Sequence, residues 1–326
     1  MPSFHRRKLL LAGASFPLLL GPGLAATQSY PARQIRFIVP YGPGTVSDAS
    51  ARLLADKLKE RWGQSLVVEN LTGAGGVVGT QAIARGAPDG YTLGMLASNH
   101  AINAAVYPNL PYDPVADFKP IVHVTFNQFA FCVNSEVPAN TLQEFIALAK
   151  RQPGKLNYGS SGNGGSPHLA VAKFAYMAGI DLMHIPYRSN GAAVTDLIAG
   201  SVALVSTSIS ALLPHVKNGR LKALAVSGDR RSPLMPEVPT VAEAGVPGYS
   251  MKNWNGIVAP AGLSRELVSQ IQGDVVAILK DKSVQERVAT LGAELDVLPS
   301  DAFERRLREE IVSWKDVVKA AGVKPM

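Results

Sequence analysis

A chain of 326 residues with 47% apolar and 17% charged residues has room for two modest domains and a real core, which excludes a disordered chain. Its formal charge of +7 comes from scattered Lys and Arg with no aromatic-interleaved basic stripe, so the composition gives no case for nucleic-acid binding. The single cysteine, Cys132, excludes an internal disulfide, and in its apolar run it is a small buried hydrophobe rather than a catalytic thiol.

The N-terminus has the layout of an export signal. His5-Arg6-Arg7-Lys8 is a basic region, residues 9–20 are mostly apolar, and Gly23-Leu24-Ala25 places small residues where a signal peptidase reads them. Residues 1–25 are expected to be removed, with Ala26 as the neighbouring cleavage point. The segment carries Arg6, Arg7 and Lys8 and no acid, so the mature charge becomes 7 − 3 = +4. Gly13, Pro17 and Pro22 interrupt the apolar run, which is too short for a stable membrane span. No cysteine lies near the cleavage point to carry a lipid. The paired arginines match a twin-arginine signal in part.

Residues 35–39 form a strand candidate that runs into Pro40-Tyr41-Gly42-Pro43-Gly44-Thr45-Val46-Ser47-Asp48. A helix follows, with apolar positions at Leu53, Leu54 and Leu58 and an end near Trp62-Gly63. The next strand, 66–68, leads into a second glycine loop at 69–76 and a short helix through Ile83. Gly73, Gly75 and Gly79 give G-x-G-x-x-x-G, one position late for a dinucleotide fingerprint. No acidic residue ends the following strand, 91–96, and no phosphate-loop motif occurs. Ser98, Asn99 and His100 close that strand, where a side chain can face a cleft.

From Asn127 a second unit begins. Residues 129–133 form a strand, and Thr141 with Glu144 makes a capping box for a helix that ends near Pro153-Gly154. The strand ending at 156–158 opens into Tyr158-Gly-Ser-Ser-Gly-Asn-Gly-Gly-Ser-Pro-His-Leu169, the most informative stretch of the chain. Ser166 is expected as an N-cap and Pro167 at the first helical position. Glycines let backbone N–H groups turn inward, and a helix N-terminus leaves its first N–H groups unpaired, so this loop suits an anion. Strands at 183–185, 203–205 and 223–226 and a helix at 191–199 continue the alternation. Pro233, Pro236, Pro239 and Pro247 mark an irregular return.

The tail is expected to be helical, with a second capping box at Ser283 and Glu286. Phe303, Leu307, Ile311, Trp314, Val318 and Ala321 form one apolar stripe for core packing. Repeated strand–glycine loop–helix units predict α/β architecture with open sheets and ligands at the carboxyl ends of the strands. Lobe 1 is expected to comprise 26–126 plus 252–326 and lobe 2 to comprise 127–251. Hinge crossings are expected near 124–127 and 250–254.

Several motifs in fixed order resemble the periplasmic solute-binding proteins of tripartite tricarboxylate transporters. They are the Tyr41-to-Asp48 loop, Val68-Glu69-Asn70 with the glycines up to Gly79, and Asp89-Gly90-Tyr91-Thr92. Further on come Tyr158-Gly159-Ser160 to His168-Leu169, His184-Ile185-Pro186-Tyr187-Arg188, Asp196-Leu197-Ile198-Ala199-Gly200 and the segment from Pro239 to Gly245. The resemblance covers essentially the whole mature chain. It implies a two-lobed, type II "Venus flytrap" with an open mixed sheet flanked by helices in each lobe. Such a protein closes on a small organic carboxylate and hands it to a permease of one large and one small integral subunit. It also implies a periplasmic monomer without a cofactor or metal.

The same resemblance places Ser160, Gly164, Ser166 and His168 on the second lobe facing Tyr41, Gly44, Thr45, Asp48, Ser98 and Asn99 on the first. Pro43-Gly44-Thr45-Val46 departs from the family's paired glycines, and Arg188-Ser189-Asn190-Gly191 departs from its lysine-glycine-glycine-like stretch. Beside Tyr187, Arg188 either grips a second carboxylate in bidentate fashion or is solvated. Asp48 either complements a helix dipole or orients groups in the cleft. Asp196 braces the second lobe or touches ligand.

Two other readings use the same residues. A secreted hydrolase would take Ser160 or Ser161 as nucleophile, His168 or His184 as base and Asp196 as orienter. Gly159-Ser160-Ser161-Gly162-Asn163 fails the nucleophile-elbow pattern, however, and the six histidines show no metal spacing. A subunit presenting ligand to a sensor would share the site.

Overall fold

The structure is a computed structural model that describes residues 30–320. The export segment and Ala321 of the apolar stripe lie outside the described residues. The first part of the chain forms β1 (Ile35–Val39), α1 (Val46–Trp62), β2 (Leu66–Asn70), a 3-10 turn (Ala74–Gly76), α2 (Val77–Ala84), β3 (Thr92–Ala97), α3 (Asn99–Val106) and β4 (Phe118–Asn127). The middle forms β5 (Phe129–Asn134), α4 (Leu142–Arg151), β6 (Asn157–Ser160), α5 (Ser166–Ala178), β7 (Met183–Pro186), α6 (Asn190–Ile198), β8 (Leu204–Ser208), α7 (Ile209–Lys217) and β9 (Leu221–Val226). The last part adds β10 (Asn253–Pro260), α8 (Arg265–Leu279), α9 (Lys282–Thr290), β11 (Ala293–Pro299) and α10 (Ser300–Ala320).

Local chemistry sets most boundaries. Thr45 caps α1 by accepting the Asp48 N–H, and Gly63 ends it at φ 67°, a left-handed turn that glycine adopts without strain. Thr141 caps α4 as expected, although Glu144 reaches back to the Asn140 N–H rather than to Thr141 itself. Two caps differ from the sequence expectation. Gly165, not Ser166, caps α5, because the Ser166 hydroxyl has a tertiary partner and the Gly165 carbonyl accepts the Leu169 N–H. Asp281, not Ser283, caps α9, since its carboxylate is the stronger acceptor and takes both the N–H and the hydroxyl of Ser283. The tail is not wholly helical: β11 is a half-exposed edge strand whose Glu294 and Asp296 disguise its alternation.

The first sheet has the order β11-β4-β10-β3-β1-β2 and the second β7-β6-β8-β5-β9. In the first, β1 runs parallel to β2 and β3, whereas β10 is antiparallel to both neighbours. In the second, β6 is parallel to β7 and β8, and β5 is antiparallel to β8 and β9. The parallel strands feed α1, α2, α3, α5 and α6 from their carboxyl ends. Ile35, Phe37 and Val39 pack with Leu54 and Leu58 of α1 and Ile271 and Val275 of α8 on one face, and Ile38 meets Ile83 and Ile102 on the other. Phe303, Leu307, Ile311, Trp314 and Val318 of α10 are buried, each contributing about 1.5–3 kcal/mol. Gly256 of β10 has no Cβ because one there would collide with the Phe303 ring.

The chain passes between the sheets at Gln128 and again just before Asn253. The two passages are bonded to each other. Phe129 N–H donates to Ser227 Oγ, Ser227 Oγ donates to the Met251 carbonyl, and Met251 N–H donates to the Ser227 carbonyl. Asn253 Nδ2 donates to Asn127 Oδ1 alongside. From the second lobe, Lys173 of α5 donates to the Ser250 carbonyl at 2.9 Å. From the first, Glu310 of α10 accepts from Trp254 Nε1 at 2.6 Å.

Two buried histidines tie stability to pH. His100 packs on Tyr112 and Phe118, and His123 lies against Trp254 and Phe303. Burial lowers both to about 4. A folded value below the unfolded one means that their stabilisation is present above pH 6.5 and lost as pH falls towards 4. For each, the folded state is on the order of 3 kcal/mol less stable below pH 4 than at neutral pH. Circular-dichroism melts should therefore show a steep loss of stability between pH 6.5 and 4, with proton uptake on unfolding.

Glu310 has the opposite sign. Burial, partly offset by Trp254, Arg306 and Lys173, raises its carboxyl to about 7. Its stabilisation is complete below pH 4.5 and lost as pH rises through 7. Glu310→Gln should stabilise the protein at pH 8 by roughly 1–3 kcal/mol and clearly less at pH 5. Equal effects at both pH values would refute the assignment.

Candidate functional site

The loops that follow β1 and β3 supply the first-lobe residues, and their side chains are largely committed to one another. Asp48 accepts from Gly44 N–H (2.9 Å), Asn70 Nδ2 (2.9 Å) and Arg52 Nε (3.0 Å). Burial raises its carboxyl, but these donors outweigh that and hold it below the usual range. Asp48 is thus the brace of the β1–α1 loop. Thr45 Oγ1 donates to the Gly42 carbonyl at 2.9 Å, and Tyr41 uses its carbonyl on Asn70 and its hydroxyl on the Ala97 N–H. Ser98 is buried, accepts from Trp254 N–H at 3.0 Å and donates to the Lys252 carbonyl, so it serves the second passage between the lobes.

The β6–α5 loop is equally self-contained. Ser160 is fully buried, and its Oγ lies 3.0 Å from the Gly162 carbonyl and 2.7 Å from His184 Nε2. The carbonyl can only accept, so the hydroxyl proton goes to it and His184 Nε2 is the donor. That is the reverse of the polarity a nucleophile and its base require. His168 Nδ1 accepts from Gly164 N–H at 3.0 Å, and its ring stacks on His184 with centroids 4.0 Å apart. Tyr158 stacks on His184 in turn, at 4.9 Å. Burial, helped by His184, pushes His168 down to about 3, and burial lowers His184 to about 4, so the pair is neutral.

Asp196 accepts from the Tyr187 hydroxyl at 2.7 Å and so braces the β7–α6 loop. Burial and Asp196 together push the Tyr187 phenol up to about 12. Tyr187 N–H donates to the Ser160 carbonyl, which joins the two second-lobe loops. Arg188, next in sequence, is exposed and forms no ion pair among the described residues. Across the cleft, Asn99 Oδ1 accepts from both Ser166 N–H (3.2 Å) and Ser166 Oγ.

Of the sequence-derived residues, Ser160, Gly164, Ser166, His168, Tyr187 and Asp196 therefore converge as the scaffold of one loop cluster. Tyr41, Gly44, Thr45 and Asp48 form its first-lobe counterpart. The donors that remain open are mostly ones the sequence reading did not single out. On the second lobe, the backbone N–H groups of Ser161, Asn163, Gly165 and His168 donate to no described residue, and neither do the Ser161 hydroxyl and Asn163 amide. On the first, the N–H groups of Gly42, Val46 and Ser47 do the same. The glycine spacing could have pointed to these backbone groups, but not to which would be used internally.

Comparison with known proteins gives this geometry its setting. Residues 50–323 match the family described as the tripartite tricarboxylate transporter family receptor. Protein BugT of Bordetella pertussis is 35% identical over 307 residues, spanning 93% of this chain and 94% of that protein. Among solved structures, R. palustris Rpa4515 with adipate is 33% identical with a TM-score of 0.84, covering 91% of this chain and all of that one, 100%. MatC (Rpa3494) from Rhodopseudomonas palustris with bound malate is 29% identical with a TM-score of 0.79, covering 89% and 100%. The two-sheet α/β architecture is that of a periplasmic binding protein. The chain belongs to the tripartite tricarboxylate transporter receptor family and is a solute receptor, not an enzyme.

Proposed function

We propose that this receptor captures a small organic dicarboxylate between its two lobes and delivers it to a permease of one large and one small integral subunit. The observation that carries the reading is the pairing of α1 and α5. Each starts at the carboxyl end of a parallel strand, one in each lobe; α1 keeps the N–H groups of Val46 and Ser47 open and α5 that of His168. A helix N-terminus favours an anion by about 0.3–1 kcal/mol, and more when partly buried. Adipate and malate in the related structures are dicarboxylates, which fits a second, cationic contact at Arg188.

Closure follows from bridging. A ligand shifts a hinge only through contacts that are better in the closed form, and an anion held by both helix termini supplies them. The lobe boundaries near 127 and 252 serve as the pivot. The protein acts in the periplasm, and the N-terminal basic and apolar segment supports export there.

Calorimetry with adipate, malate and the monocarboxylate hexanoate tests the site. Arg188→Ala should weaken the dicarboxylates by about tenfold or more, because a hydrogen bond to a charged group contributes roughly 1.5–3 kcal/mol. Hexanoate should be unaffected. A thermal-shift screen of mono-, di- and tricarboxylates that produces no shift at all would sink the carboxylate reading.

Export has its own test. Intact mass of the periplasmic protein should correspond to a new N-terminus at Ala26 or Thr27, and retention of Met1 there would contradict removal of the segment.

A further inference from the structure

We infer that Asn99 is an interlobe latch: a positioning residue that holds the empty receptor towards its closed form by seating its amide oxygen on the donors at the α5 N-terminus. Asn99 opens α3 immediately after β3 of the first lobe, whereas Ser166 opens α5 of the second. One acceptor atom, Asn99 Oδ1, takes both the backbone N–H and the hydroxyl of Ser166. Pro167 has no N–H, so the first turn of α5 holds only the N–H groups of Ser166 and His168, and Asn99 occupies one of them.

The latch is fixed at its base. Neighbouring Ser98 is bonded to Trp254 N–H and to the Lys252 carbonyl, in the second passage between the lobes. Because Ser166 belongs to the other lobe, parting of the β3–α3 and β6–α5 loops breaks both bonds to Asn99. Asn99 Nδ2 donates to no described residue, so its orientation rests on the bonds to Ser166.

The contact also bears on ligand choice, a consequence that rests on the carboxylate reading above. A ligand reaching Ser166 must displace a neutral amide oxygen already seated there. A carboxylate oxygen makes charge-assisted bonds roughly twice as strong, whereas an amide or alcohol on the ligand gains nothing in the exchange. Asn99 thereby sets a threshold that favours anions.

The latch is tested on the ligand-free protein, so its outcome is independent of which solute binds. Spin labels are placed through Val78→Cys on the first lobe and Tyr176→Cys on the second, both exposed, while the native Cys132 is fully buried and stays unlabelled. Pulsed electron–electron distance measurements are then made on this background and with Asn99→Ala, Ser166→Ala or Asn99→Asp added. Asn99→Ala should shift the distance distribution, raising the open-to-closed ratio by roughly tenfold, as expected for two lost hydrogen bonds. Ser166→Ala keeps the N–H and should fall between, and Asn99→Asp should restore the background distribution because its carboxylate suits the same donors. Circular dichroism confirms folding, and Ser166→Ala carries the test if Asn99→Ala does not fold. Distributions for Asn99→Ala and Ser166→Ala that superimpose on the background overturn the proposal.

Discussion

The hydroxyl and backbone of Ser227 hold the two lobe-to-lobe passages side by side, and the placement of everything else follows from that. Its Oγ accepts from Phe129 N–H and donates to the Met251 carbonyl, while its own carbonyl takes the Met251 N–H. A buried hydroxyl with both capacities used is costly to disrupt, since any partner removed leaves an unpaired polar group. The two passages therefore behave as one narrow ribbon. On the proposed hinge reading, that ribbon governs the gap between the β1–α1 and β3–α3 loops and the β6–α5 and β7–α6 loops.

The chemistry of that gap is built from backbone rather than from charge. Every ionisable side chain near it except Arg188 is either braced or kept neutral. Asp48 is saturated by three donors, Asp196 is held by Tyr187, and the His168–His184 stack is too buried to protonate near neutral pH. What remains are N–H groups at two helix starts and a few small side chains. On the proposed reading, such a surface holds an anion without locking it into one geometry.

Much of this was legible in the sequence. Strand–glycine loop–helix spacing predicted β1–α1, β2–α2 and β6–α5, and the stripe from Phe303 to Val318 lies buried as expected. The limits were set by tertiary competition. Ser166 has every local qualification for an N-cap, yet Asn99, distant in sequence, claims its hydroxyl and moves the cap to Gly165. Ser160 looks like an exposed loop hydroxyl but is wholly buried against Gly162 and His184. Edge strand β11 was hidden because a half-solvated strand tolerates Glu294 and Asp296 where a core strand would not. Which donors in a glycine loop stay open depends on partners that local patterning does not encode.

The position of β10 has a consequence for assembly. It lies between β3 and β4 in the first sheet, yet it arrives in the chain only after the whole second sheet has been made. Until then β3 and β4 have no strand to join them, and β1, β2 and β3 form an incomplete sheet with an open edge. The second lobe, by contrast, is continuous in sequence and can complete its five strands from local neighbours. Its completion brings Phe129 and Met251 together and shortens the loop that β10 must close to reach its slot. The six-stranded sheet is thus one that no N-terminal fragment can complete, because its central strand is supplied only after the chain has returned through the five-stranded one.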